Sequence, residues 1–255
     1  MSVTQQLKSH LNQTFDSWVD DEIATVLSLV EVDPSARLLD LGCGDGRITK
    51  LVAEKSKARA TVGMEALRMD GLVDIDNFKL ASGDLNEPFP FDDTSFDVVL
   101  SHFSIEHLYN PGLFIQESYR VLKKDGYTIV ATDNLSAWPN VFALSLGWQP
   151  FSTTTGIGRR AMGNPLALRS ASHGEFSEDG ELAAGNVDAW RTHGKFSHNK
   201  VLAYRMLREA YQEFGFEVEE LLGAGYLVFG GRLGQALAKV DPRHSHLLVL
   251  KARKT

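Results

Sequence analysis

Apolar residues fall along this chain in two rhythms. Between positions 7 and 30, Leu11, Phe15, Trp18, Val19, Ile23, Val26, Leu27 and Val30 recur at helical spacing. That spacing predicts one broken or two short amphipathic helices ahead of everything else. Short, strongly apolar runs follow at 37–41, 60–64, 78–82, 96–101, 127–132, 218–222 and 246–250. They read as strands, most of them separated by helix-compatible segments. Strand and helix in alternation specify an α/β architecture: a seven-stranded, mostly parallel, doubly wound sheet with helices on both faces. The two late strands lie close together, with room at 230–240 for only a short helix. Residues 134–198 break the rhythm, being rich in Gly, Ser, Thr and Asn with aromatics scattered among them, including Trp138, Phe142, Trp148, Phe151, Phe176, Trp190 and Phe196. A connection this long inside a compact domain is either a cap over a ligand or a loosely packed excursion, and 137–146 is its best helix.

Composition narrows the class. The 255 residues are 43% hydrophobic and 23% charged, with a formal net charge of -7. This fits one globular domain across 1–255, with 1–35 as a helical cover and 134–198 as an insertion. Neutralising phosphates takes concentrated Lys and Arg, so nucleic acid is disfavoured as a partner. No apolar run approaches the roughly 20 residues of a membrane span, and no signal-peptide pattern opens the chain. With one cysteine, Cys43, a reducing, cytoplasmic setting is expected. No pattern specifies an oligomeric state.

The chemistry concentrates where the first strand ends. Arg37-Leu38-Leu39-Asp40-Leu41-Gly42-Cys43-Gly44-Asp45-Gly46 runs from an apolar strand into three alternating glycines. Such a turn lets backbone approach a ligand where a Cβ would clash. A dinucleotide fingerprint would place its third glycine at Arg47, so the spacing points away from NAD. Glu65 closes the second strand roughly 20 residues beyond the turn, where a carboxylate can accept two hydrogen bonds from a ribose diol. Asp40 either holds the turn by hydrogen bonds or sits beside a cationic part of the ligand. Asp45 faces solvent or caps the next helix. Cys43 reads as a small packing residue rather than a nucleophile. Ser101 and His102 end the fourth strand, and strand carboxyl ends are where open α/β sheets hold ligands.

Residues 37–46 resemble the first motif of the class I S-adenosylmethionine-dependent methyltransferases. Other stretches follow that family in order: Ala81-Ser82-Gly83-Asp84-Leu85-Asn86, then 88–101, then the helix, glycine turn and strand of 117–127. The resemblance covers about 36–132 well and 199–253 loosely, and it is nearest to the quinone-biosynthesis methyltransferases. It implies a Rossmann-like sheet with an antiparallel last strand, and S-adenosylmethionine as cofactor. Asp40, Gly42, Gly44, Glu65, Asp84, Leu85, Ser101 and His102 would hold the cofactor, with Asp84 on the adenine amine and the Leu85 amide on a ring nitrogen. Ser101 and His102 would meet its methionine part.

His107 is the candidate general base, an imidazole titrating near neutral pH. Glu106 and His107 could equally be helix-start residues that bond locally, and His193 and His198 are weaker, solvated alternatives. Related quinone O-methyltransferases have Glu-x-x-Glu-His here and can bind a divalent ion, but Phe103 takes the first acidic position, so no metal is expected. The Asn/Asp-Pro-Pro-aromatic turn of base-amino methylation is missing, as is a cysteine placed for pyrimidine chemistry. A small, partly apolar acceptor methylated at oxygen remains, with 134–198 as its lid. The alternatives are an RNA or protein acceptor, a catalytically silent S-adenosylmethionine-binding subunit, and a nicotinamide oxidoreductase.

Overall fold

A computed structural model describes residues 3–66, 72–153, 163–166, 198–226 and 229–255. Its centre is β1 (Arg37–Leu41), in which Leu38, Leu39 and Leu41 are all buried. A strand covered on both faces must be apolar at successive positions, which is why this run has no polar alternation. Around it lie β2 (Ala60–Glu65), β3 (Phe78–Ser82), β4 (Phe96–His102), β5 (Leu122–Asp133), β6 (Phe216–Ala224) and β7 (Leu247–Lys254) in the order β3-β2-β1-β4-β5-β7-β6. All neighbours pair in parallel except β7, which runs antiparallel to both β5 and β6. The doubly wound sheet and its reversed last strand are as expected.

Among the described residues the helices are α1 (Val3–Leu29), α2 (Arg47–Ser56), α3 (Pro111–Val121), α4 (Trp138–Ser145), α5 (Tyr204–Glu213) and α6 (Gly231–Val240). Strand side chains alternate between two cores. Leu39, Leu41 and Val99 join Phe114, Ile115, Leu207 and Tyr211 from α3 and α5 on one face. Leu38, Val98 and Leu100 join Val26 of α1 and Val52 of α2 on the other. Chain order reverses between β1 and β4, opening a crevice at the carboxyl ends of these strands.

Three boundaries differ from the sequence reading. The first helix is one unbroken element rather than two, and Trp18 anchors it: the ring is fully buried and its Nε1 donates to the Phe229 carbonyl at 2.8 Å. β7 continues past residue 250 because Lys251 and Arg253 find carboxylates in Glu31 and Glu219, so charged side chains are carried within the sheet. β6 likewise extends beyond 218–222, with an irregularity in its pairing between Val218 and Glu220. Within the insertion, α4 matches the expected helix and a short 3₁₀ turn follows at Phe151–Thr153. Phe176, Trp190, His193 and Phe196 lie outside the described residues, as does most of the expected lid.

Candidate active site

The glycine turn is shaped by what presses on it. Gly42 has φ of 80°, and a Cβ there would stand 2.2 Å from the Ser104 Oγ and 3.5 Å from Leu85, so the turns after β1, β3 and β4 meet at this point. Ser104 Oγ donates to the Leu41 carbonyl at 3.1 Å, tying the fourth strand's exit to the first. Gly44, also at positive φ, has nothing within 4 Å of where its Cβ would be. Backbone therefore faces open space there, and its N–H donates to Glu65 Oε2 at 3.2 Å. The other Glu65 oxygen accepts from the Ala66 amide at 2.8 Å. Glu65 thus stands beside the open face of the turn. Cys43 is buried and touches the position over Gly63, and burial pushes its thiol up to about 12, which excludes a nucleophilic role.

Asp40 is 1% exposed. One carboxylate oxygen accepts from Thr49 Oγ1 at 2.6 Å, whereas Oδ1 has no partner. Burial raises its pKa to about 6 despite that bond. Asp40 therefore pins α2 to β1 rather than bonding to the glycine turn itself, and one oxygen is left over. Asp45 accepts from the Arg47 amide at the start of α2 and pairs with its guanidinium.

On the next strand, Ser82 pairs with Glu65, and Asp84 follows two residues later as an exposed side chain. Asp84 Oδ1 accepts from the backbone and side-chain nitrogens of Asn86, fixing the loop, while Leu85 is buried against the Gly42 turn. The two carboxylates thus lie at the ends of adjacent strands, on the same edge of the sheet.

Across the crevice, Ser101 is fully buried with an unpartnered Oγ. His102 Nε2 lies 2.9 Å from Glu22 Oε2. Burial works against the imidazolium, but the Glu22 carboxylate outweighs it, so the His102 pKa is raised. Glu22 comes from α1, is fully buried, and keeps Oε1 unpartnered. The N-terminal helix therefore contributes a charged side chain to the site as well as covering it. Sequence reading missed Glu22; its only signal was a charge close to the buried-side positions Val19, Ile23 and Val26.

After β4, a 3₁₀ turn at Ile105–His107 carries Glu106 inward and leaves His107 half-buried. Glu106 is fully buried, which departs from the local, helix-start reading: its Oε2 accepts from Thr132 Oγ1 on β5 at 2.9 Å, and its carbonyl accepts from the amides of Asn199 and Lys200. Burial raises the pKa of its carboxyl. His198 was expected to be solvated, and here the structure corrects the sequence reading. Its side chain is 1% exposed, with Nδ1 2.6 Å from the Ser152 carbonyl and 3.1 Å from Asp133 Oδ2. The insertion folds back onto β5 at this point, a contact between distant positions that no local pattern announces. The rings of His107 and His198 stand edge to face, 4.8 Å apart.

Comparison with known proteins adds the following. The methyltransferase-domain family matches residues 39–130. A probable S-adenosylmethionine-dependent methyltransferase of Mycolicibacterium smegmatis is 26% identical over 215 residues, covering 83% of this chain and 61% of that protein. A ubiquinone biosynthesis O-methyltransferase of Pelagibacter ubique is 29% identical over 129 residues, 46% of this chain and 52% of its own length. The chain thus spans between half and two thirds of these relatives. The crystal structure of an S-adenosylmethionine-dependent methyltransferase from Mesorhizobium loti shares the fold with a TM-score of 0.55 at 14% identity, over 91% of this chain and 96% of that one.

Proposed function

With residues 39–130 matching the methyltransferase-domain family within a seven-stranded sheet of order β3-β2-β1-β4-β5-β7-β6, we propose that this chain transfers a methyl group from S-adenosylmethionine to a small, partly apolar acceptor, at oxygen. The observation that carries this reading is the open backbone cradle at Gly44 with Glu65 beside it and Asp84 on the next strand end. Glu65 would accept from the ribose hydroxyls, Asp84 from the adenine amine, and the Leu85 backbone amide would donate to a ring nitrogen. The buried, unpartnered Asp40 Oδ1, Ser101 Oγ and Glu22 Oε1 suit a ligand that brings hydrogen-bond donors and positive charge. These residues fit the cofactor, whose sulfonium supplies an already activated methyl group.

What remains for the protein is to hold the acceptor in line, exclude water and take up a proton. We assign the last of these tasks to His107, which is half-buried in the 3₁₀ turn just beyond the carboxyl end of β4. The nature of the P. ubique relative favours an oxygen acceptor, and the net charge of -7 disfavours RNA.

The test is turnover of radiolabelled S-adenosylmethionine against a panel of phenols and catechols, with RNA and unfolded protein as competing acceptors. Label in a phenolic ether, lost in the Asp84→Ala and His107→Ala variants, is the expected result. Label only in RNA or protein overturns the acceptor assignment, and no transfer with cofactor bound supports a silent subunit.

A further inference from the structure

Beside the half-buried His107, two enclosed side chains hold polar atoms with nothing to bond. The Nδ1 of His198 lies 2.6 Å from the Ser152 carbonyl and 3.1 Å from Asp133 Oδ2. Burial disfavours its imidazolium, but the Asp133 carboxylate outweighs burial, and Glu106 and the Ser152 carbonyl add to it, pushing the pKa up to about 9. At neutral pH both ring nitrogens therefore carry protons, and the one on Nε2 has no acceptor. Glu106 presents the converse: Thr132 donates to Oε2, whereas Oε1 has no donor. Both side chains are more than nine-tenths buried. A polar atom from each of Glu106, His107 and His198 lies within 4.8 Å of the other two, so one oxygen set among them comes within hydrogen-bond reach of all three. His102, which ends β4, feels the Glu106 carboxylate as it feels Glu22 and Asp40, so this group borders the cofactor side of the crevice. A buried donor without an acceptor beside a buried acceptor without a donor fits a hydroxyl, which supplies both.

We propose that the acceptor's hydroxyl docks between Glu106 and His198, with His198 Nε2 donating to its oxygen and Glu106 Oε1 taking its proton. Asp133 is a positioning residue, whose carboxylate keeps the second proton on His198. The inference rests on the proposed oxygen acceptor and deepens that reading by naming the groups that ionise it. An imidazolium facing the oxygen stabilises the negative charge that develops there. Burial raises the pKa of Glu106, which makes it a stronger base than an ordinary carboxylate. The acceptor oxygen loses its proton to Glu106 and bonds the methyl carbon, while the pair of the broken carbon–sulfur bond stays on sulfur. Fully buried Glu106 has no direct path to water, whereas half-buried His107 does, so His107 takes the proton onward to solvent. The proton on His198 Nε2 stands where a metal ligand would need a lone pair, so the scheme is one of proton transfer. The titratable groups facing His198 are Asp133 on β5 and Glu106 and His107 on the 3₁₀ turn. His246, just before β7, feels Asp133 as well, and burial lowers its pKa, so it stays neutral.

The experiment adds 4-nitrophenol, whose anion absorbs visible light, to the full chain loaded with S-adenosylhomocysteine, and follows the phenol's ionisation against pH. S-Adenosylhomocysteine binding is measured separately on the same preparation. The bound phenol should titrate about 1–3 pH units below the free one. In variants that still bind S-adenosylhomocysteine, this displacement should vanish in His198→Gln, shrink in Asp133→Asn and persist in His244→Ala. Methylation of a phenol gives a second readout. Glu106→Gln should lower kcat about 100-fold and remove the acid limb of the pH profile, and His198→Gln should remove an alkaline limb near pH 9, where the wild-type imidazolium is lost. A bound phenol with unmoved titration, as over a gap that holds only water, overturns the inference, and so does failure of 4-nitrophenol to bind. Activity lost to chelator and restored by zinc or magnesium chloride overturns it too. Any of these results with S-adenosylhomocysteine bound sinks this inference alone; a displaced phenol titration in protein that does not bind S-adenosylhomocysteine sinks the cofactor reading instead.

Discussion

Asp40→Asn separates what burial costs this chain from what it provides. The Asp40 carboxyl is fully enclosed, and burial raises its pKa from 3.8 to about 6. At about 1.4 kcal/mol per tenfold, that places about 3 kcal/mol against the ionised carboxylate in the folded protein at pH 8. For an acid whose folded pKa is raised, the native state holds the proton more tightly than the unfolded chain. Stability therefore falls as pH rises from about 4 through 6. By pH 4.5 the unfolded carboxyl is already mostly ionised, so about 2 kcal/mol of the effect develops between pH 4.5 and 8. Asparagine can still accept from Thr49, and any cost of its unpartnered amide nitrogen is the same at every pH. The stability of Asp40→Asn relative to wild type should thus rise by about 2 kcal/mol between pH 4.5 and 8 in urea denaturation. In thermal scans the same change is about 4–8 °C for a domain of this size. Binding gives the converse: a cationic ligand recovers the charge, so wild-type affinity for S-adenosylmethionine should rise about tenfold from pH 5 to 7, and the variant should lose this dependence. Parallel pH profiles for the two proteins would refute the reasoning.

Gly42→Ala should destabilise by about 2–3 kcal/mol in denaturant titration, combining left-handed backbone strain with displacement of the Ser104 hydroxyl from the Leu41 carbonyl; an unchanged midpoint would show that the turn has more room than the structure gives it. Cys43 should resist iodoacetamide at pH 8 in native protein and react on unfolding, because its thiol is pushed up to about 12; stoichiometric native alkylation contradicts its burial. In Glu22→Gln the His102 imidazole should titrate at lower pH by NMR, since the Glu22 carboxylate is what outweighs burial. The Glu22–His102 pair should stabilise the fold below the unfolded histidine pKa of 6.5 and cease to do so as pH rises through the folded value; an unmoved His102 titration rules this pairing out.

The parts of this fold that were legible in the sequence are those written locally. The apolar runs of β1 and β4 are buried on both faces, so their composition alone marks them, and the Gly42–Gly44 turn declares its backbone freedom in three residues. Strand ends were harder wherever charge entered the sheet: Lys251 and Arg253 look like the end of β7 until Glu31 and Glu219 are seen beside them. The site divides the same way. Asp40, Glu65 and Asp84 close successive strands and could be found by position. Glu22 meets His102 across 80 positions, and His198 meets Asp133 only because the insertion folds back onto β5. Neither pair leaves a spacing in the sequence, and in both the deciding physics is burial, which the chain shows only once folded.

The central claim is that Glu65 and the Gly44 cradle grip an adenosine. Thermal denaturation with saturating S-adenosylhomocysteine measures this most directly, since a ligand at about 100 times its dissociation constant stabilises the native state by about 2.7 kcal/mol. A rise in midpoint with S-adenosylhomocysteine, absent with NAD and lost in Glu65→Ala, is the predicted result; a rise with NAD alone would contradict it.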